Sequence, residues 1–129
     1  METTLFLKSN EYHLKGKTFV LPRVFSRIDY SILEQLSCVR CQEAIDNAQY
    51  RFLRFSTKKE GLMHGEEIGY ARLSLGKIPR IVFSLDDLNF ARLEGEVMYA
   101  GCGDAFELWR PDDFKKVEKC YWMLEQRFA

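Results

Sequence analysis

The sequence predicts an α+β domain made of two related, strand-rich halves, and three observations carry that expectation. The stretch from Arg80 to Trp109, RIVFSLDDLNFARLEGEVMYAGCGDAFELW, reads as strand, short helix, strand, glycine turn and strand with almost no loop between them. A fainter copy precedes it. Gly16-Lys17, Pro22-Arg23 and Phe25-Ser26 recur in the same order as Gly76-Lys77, Pro79-Arg80 and Phe83-Ser84. The interval is about 60 residues, and order-preserving recurrence marks an internal duplication. Finally, after Pro22 the apolar spacing takes on the period of a helix, so helices accompany the strands.

Residues Thr4 to Asn10 suit a first strand, with Leu5 and Leu7 on one face. Lys15-Gly16-Lys17 is a turn, and Thr18 to Leu21 a second strand that Pro22 stops, because proline has no amide to donate. Phe25, Ile28, Ile32, Leu33 and Leu36 then predict a helix over Val24 to Ser37. A second helix is expected over Cys38 to Thr57, with Ala44, Ile45, Ala48, Phe52 and Phe55 as its buried stripe. Arg51, Arg54, Lys58 and Lys59 gather toward its end, where cations suit the dipole.

Gly61 to Gly69 reads as a loop, followed by strands at Tyr70 to Leu75 and Arg80 to Phe83. Ser84, with Asp87 three residues on, starts a short helix that runs through Ala91. Val97 to Ala100 and Phe106 to Trp109 form a hairpin around Gly101-Cys102-Gly103-Asp104. Pro111 suits the first position of a last helix, whose stripe is Phe114, Val117, Tyr121, Leu124 and Phe128. Trp122 and Met123 lie off that stripe and suit a partner subunit.

At 129 residues the chain suits a single domain, 1–129, with a first half of about 1–57 and a second of about 66–129. The apolar share of 47% and charged share of 29% are those of a soluble globular protein. There is no apolar run of membrane-spanning length and no secretory signal pattern, so the expected location is cytoplasmic. Nineteen basic residues balance nineteen acidic ones, which argues against a strongly basic nucleic-acid binder but not against a local basic patch. Such a bias exists: between Lys8 and Arg27 there are five Lys or Arg and one acid, Glu11.

No enzyme, cofactor or metal is expected. Cys38 and Cys41 have a metal- or redox-like spacing, yet Cys102 and Cys120 do not complete a zinc set. Cys102 as a nucleophile, with His13 or His64 as base, competes with the simpler reading of a glycine hairpin turn. Gly16 and Gly76 do not open a phosphate loop, and the pairs Asp86-Asp87 and Asp112-Asp113 fit helix starts. What remains is the set of cations beside the turns: Lys15, Lys17, Lys77 and Arg80. Short turns can set such side chains against phosphate, and an arginine can also read guanine.

The segment from Arg80 resembles the second half of the MraZ family, bacterial regulators related to the AbrB-type swapped-hairpin DNA-binding domains. Arg80-Ile81-Val82-Phe83, Phe90-Ala91-Arg92-Leu93, Gly95-Glu96-Val97, Gly101-Cys102-Gly103-Asp104 and Phe106-Glu107-Leu108-Trp109 follow the family pattern without a gap, continuing into Pro111-Asp112-Asp113-Phe114. In the first half, Lys15-Gly16-Lys17 and Val20-Leu21-Pro22 resemble the family's Lys-Gly-Arg, apolar strand and proline, and Tyr50 to Phe55 its central helix. His13 and Gly76 stand where the pattern has Asp, Pro79 where it has Gly, and Ser84 where it has Pro.

The resemblance implies two pseudo-repeated swapped-hairpin halves forming a small β-barrel flanked by helices. It also implies ring-shaped homo-oligomers, nucleoid-associated, that bind repeated operators in double-stranded DNA upstream of the division and cell-wall gene cluster. The implied DNA contacts are Lys15, Lys17, Lys77 and Arg80, with Arg23 beside them. Lys17 replaces the family's arginine and offers a point charge rather than a planar fork. Together with the neutral net charge, the altered turns leave an alternative: an oligomeric interaction protein that keeps the fold without operator binding.

Overall fold

A computed structural model describes residues 8–22, 30–58, 66–70, 73–74, 79–101 and 105–117. In chain order the elements are β1 (Lys8–His13), β2 (Thr18–Val20), α1 (Tyr30–Leu33), β3 (Ser37–Ile45), β4 (Ala48–Ser56), β5 (Glu66–Tyr70), β6 (Leu73–Ser74) and β7 (Arg80–Val82). Next come α2 (Leu85–Ala91), β8 (Glu96–Gly101) and β9 (Ala105–Trp109). Residues 111–117 form a last helix, α3, with Pro111 at its start. The fold is α+β, and every strand pair is antiparallel.

Asp46 and Asn47 settle the middle of the chain. Both have positive φ, 53° and 68°, which is the two-residue turn whose twist matches a right-handed hairpin. Around it β3 and β4 pair from Ile45↔Ala48 to Ser37↔Ser56. The helix expected over Cys38 to Thr57 is therefore a hairpin of two nine-residue strands, and Tyr50 to Phe55 is strand. The physical reason is double burial. Cys38, Val39, Cys41, Phe52, Leu53 and Phe55 are all buried, so neither strand shows the clean alternation of a one-sided sheet. The expected first helix keeps only Tyr30–Leu33 before β3 begins at Ser37; 23–29 lie outside the described residues. The loop expected up to Gly69 contains β5.

The larger sheet has the order β1-β8-β9-β4-β3-β5, and the smaller β2-β7-β6. Four ladders, β1–β8, β2–β7, β3–β5 and β4–β9, join the first half of the sequence to the second. The β2–β7 ladder, Thr18↔Val82, Phe19↔Ile81 and Val20↔Arg80, joins the strands of the two recurring segments. Hydrogen bonds donated by the Phe83 amide to the Lys17 carbonyl (2.9 Å) and by the Leu21 amide to the Pro79 carbonyl (3.1 Å) extend the ladder at both ends.

Alternation along the larger sheet sorts its side chains into two cores. Cys38, Leu53, Phe55, Val97, Phe106 and Leu108 face the smaller sheet and α2, where Phe19, Ile81, Phe83 and Leu88 meet them. Val39, Cys41, Tyr50, Phe52, Met98, Ala100 and Trp109 take the other face, with Phe114 and Val117 of α3 upon them. The expected barrel is not what forms: among the described residues the sheets are open, ending in β1 and β5 and in β2 and β6. A barrel has one interior, whereas this sheet is apolar on both faces and needs a cover on each.

Ser84 caps α2 as the sequence implies. Its hydroxyl accepts from the Asp87 amide at 3.1 Å, with Asp86 and Asp87 in the first turn. The stripe of the last helix is buried at Phe114 and Val117; its expected continuation to Phe128, with Trp122 and Met123, lies outside the described residues.

Asn47→Val places a β-branched side chain in the left-handed region and should lower stability by about 1–2 kcal/mol. Asn47→Gly should leave stability at least at the wild-type level. Urea midpoints check this, and equal midpoints for all three proteins would contradict the turn.

Candidate nucleic-acid interface

The first Gly-Lys turn is tight. Lys15 and Thr18 exchange backbone hydrogen bonds of 2.9 and 3.0 Å across Gly16 and Lys17, and Gly16 supplies the positive φ of 62°. The Thr18 hydroxyl donates to the Lys15 carbonyl at 2.8 Å and holds the turn closed. Beyond it, Phe19 and its ladder partner Ile81 point inward and are almost fully buried. The alternate positions Thr18, Val20, Arg80 and Val82 therefore share the outer face of the smaller sheet. Lys15, opposite Thr18, falls on that face too, and so does Ser74, opposite Arg80.

Lys15, Lys17 and Arg80 are all exposed. The structure thus brings Lys15 and Arg80 to one face of the smaller sheet, with Lys17 exposed in the adjoining turn. With strands about 4.8 Å apart and a rise of about 3.4 Å per residue, Lys15 and Arg80 stand roughly 12 Å apart across the face. Arg23 and Lys77 lie outside the described residues. None of the three placed cations forms an ion pair with another described residue.

Other arginines are committed internally. Arg40 reaches the Asp87 carboxylate with Nη2 at 2.9 Å and Nε at 3.3 Å, tying β3 to α2. Arg92 ends α2 in the left-handed conformation and donates to buried Asp113 of α3 at 3.0 Å. Arg54 pairs with Glu107, its cross-strand partner, and the Trp109 indole donates to the other Glu107 oxygen at 2.9 Å. Burial pushes the Glu107 carboxyl up; Trp109 and Arg54 pull it back only in part.

Cys38 and Cys41 point to opposite faces of β3, into different cores. Burial raises both thiols, Cys41 to about 12, so neither supplies a thiolate at neutral pH. His13 is exposed on β1 opposite Glu96, while Cys102 and His64 lie outside the described residues. Among the described residues no group of three His, Cys, Asp or Glu is placed to hold a metal ion, and no helix is long and apolar enough to cross a membrane.

No family model, curated protein or solved structure matches this chain. Placement alone adds one residue that the sequence reading left as a helix-end charge. Arg51 is an exposed strand residue whose side chain meets Phe90 of α2. The Asp46-Asn47 pair between two β-rich runs was the signal that could have put it there.

Because the folded Glu107 binds its proton more tightly than the unfolded one, its contribution to stability falls as pH rises above about 4.5. The melting-temperature difference, wild type minus Glu107→Gln, should therefore decrease from pH 4.5 upward. A difference that grows with pH would mean that the Arg54 pair outweighs burial.

Proposed function

We propose that this chain is a MraZ-like transcriptional regulator that binds duplex DNA as a homo-oligomer, acting on the division and cell-wall gene cluster. The β2–β7 ladder carries the reading. In it the strand that follows the first Gly-Lys turn pairs antiparallel with the strand that begins at Arg80 in the second recurring segment. Cross-half ladders on both sides of the larger sheet support interleaved, swapped-hairpin halves. Such a scaffold sets the first Gly-Lys turn beside the strand that carries Arg80, a geometry suited to phosphates on a duplex.

Lys15, Lys17 and Arg80 supply charge without internal partners among the described residues, and Lys77 and Arg23 complete the proposed set. A neutral subunit with a few phosphate contacts binds weakly alone. A ring on repeated operators converts later contacts into intramolecular ones, and avidity replaces net charge.

A fluorescence-anisotropy titration against the DNA upstream of the protein's own gene tests the reading. Binding should weaken steeply with salt, and Lys15→Ala and Arg80→Ala should each lower the slope of log K against log salt by about one unit. Salt-insensitive or absent binding would refute it. The commitment of Arg40, Arg54 and Arg92 to internal carboxylates favours a second reading, an oligomeric interaction protein without DNA affinity. Gel filtration showing an oligomer, with no shift in the same titration, would select it.

A further inference from the structure

The β3–β4 hairpin extends past its neighbours. Among the described residues β9 pairs with β4 at Leu53–Ser56, and β5 with β3 at Ser37–Arg40. From Gln42 to Arg51 the hairpin is a two-stranded ribbon among the described residues, about 13 Å long at the usual rise. Its two faces differ. Ile45, Ala48 and Tyr50 pack toward Trp109 and the second core. Gln42, Gln49 and Arg51 lie on the opposite face, exposed, beside α2.

Those three side chains form one directed chain of hydrogen bonds. Arg51 Nε donates to Gln42 Oε1 at 3.2 Å, and Gln42 Nε2 donates to Gln49 Oε1. Both amide oxygens are thereby engaged, which leaves a surplus of donors. The Phe90 ring lies under the Arg51 guanidinium, 5.4 Å from its carbon, and the Arg40 guanidinium lies over the same ring at 5.6 Å. Arg51 is held at Nε and across its plane, while its two terminal nitrogens have no partner among the described residues. Arg40 supports the ring and is itself fixed by Asp87.

We infer that this ribbon face reads base edges in duplex DNA, with Arg51 donating in a bidentate manner to guanine and the Gln49 amide contacting an adjacent base. The inference rests on the DNA-binding reading and assigns sequence discrimination to a second element. The major groove, about 12 Å wide, admits a two-stranded ribbon. Guanine offers the two adjacent acceptors that a restrained guanidinium fork fits. Charge separates base from phosphate as the target. The face of Gln42, Gln49 and Arg51 presents one cation among amides, a set matched to the donor and acceptor pattern of base edges rather than to a row of phosphates. Lys15 and Arg80 would position the protein, and the ribbon would choose the site.

Selection of a randomised duplex pool on the wild-type protein supplies an enriched sequence; titrations against it and a scrambled duplex at several salt concentrations then test the assignment. Arg51→Lys retains the charge and removes the fork, so the affinity ratio of enriched over scrambled DNA should fall roughly 10- to 100-fold. Its salt slope should stay at the wild-type value. Gln49→Ala should lower the ratio and change the preferred base beside the guanine on reselection. Lys15→Ala should weaken both duplexes together and reduce the slope. A wild-type ratio in Arg51→Lys, or DNA binding without any enriched sequence, overturns the inference while the DNA-binding reading stands. Absence of binding to any duplex overturns both.

Discussion

The pairing of β4 with β9 is the constraint on which the other layers depend, because the same two strands floor both cores. On one face Phe55 stacks on Phe106 with centroids 5.0 Å apart, and on the other Phe52 stacks on Trp109 at 4.1 Å. Between them Arg54 and Glu107 sit opposite each other in the ladder. Slipping the register by one residue would turn one strand over, splitting this ion pair and driving one of its charges into the apolar layer beneath the smaller sheet. An apolar ladder alone would tolerate such a slip more readily. The buried pair therefore specifies alignment, and through alignment it sets where β3, β8 and everything packed on them must lie.

Much of the second half could be read from the sequence because its signals are local. Ser84 before Asp86-Asp87, glycines around β8 and Pro111 before Asp112-Asp113 each fix one terminus by their own backbone chemistry. The β3–β4 hairpin was misread for the opposite reason. Its apolar residues serve two cores at once, and the superposition of two period-two patterns happens to reproduce helical spacing at Ile45, Ala48, Phe52 and Phe55, with exposed Ala44 beside them. Only the turn residues separate the two readings. The cations at the first turn were visible as residue types, but that Lys15 and Arg80 share a face follows from a ladder between strands sixty positions apart. No local pattern encodes that pairing.

A net charge of zero conceals a division among the arginines. Those that tie layers together are matched to carboxylates: Arg40 to Asp87, Arg54 to Glu107 and Arg92 to Asp113. Those on the outer face of the small sheet and on the ribbon are matched to none among the described residues, although Arg51 is restrained by an amide and a ring. Internal pairing contributes to shape and leaves the outward field to a few positions. Composition averages over the two groups, so it says little about what this surface can bind.

The position of β1 at the margin of the larger sheet bears on the order in which the chain can fold. Among the described residues its ladder is with β8, from His13↔Glu96 to Lys8↔Gly101, so the partner is synthesised 83 to 93 residues later. The β3–β4 hairpin needs nothing beyond its own turn, and can close as soon as Ser56 is available. Closing the long loop is the slow, entropically costly step, and apolar surface stays open until it is complete. During synthesis the early strand thus waits on the late one, and the larger sheet is completed only after β8 has emerged.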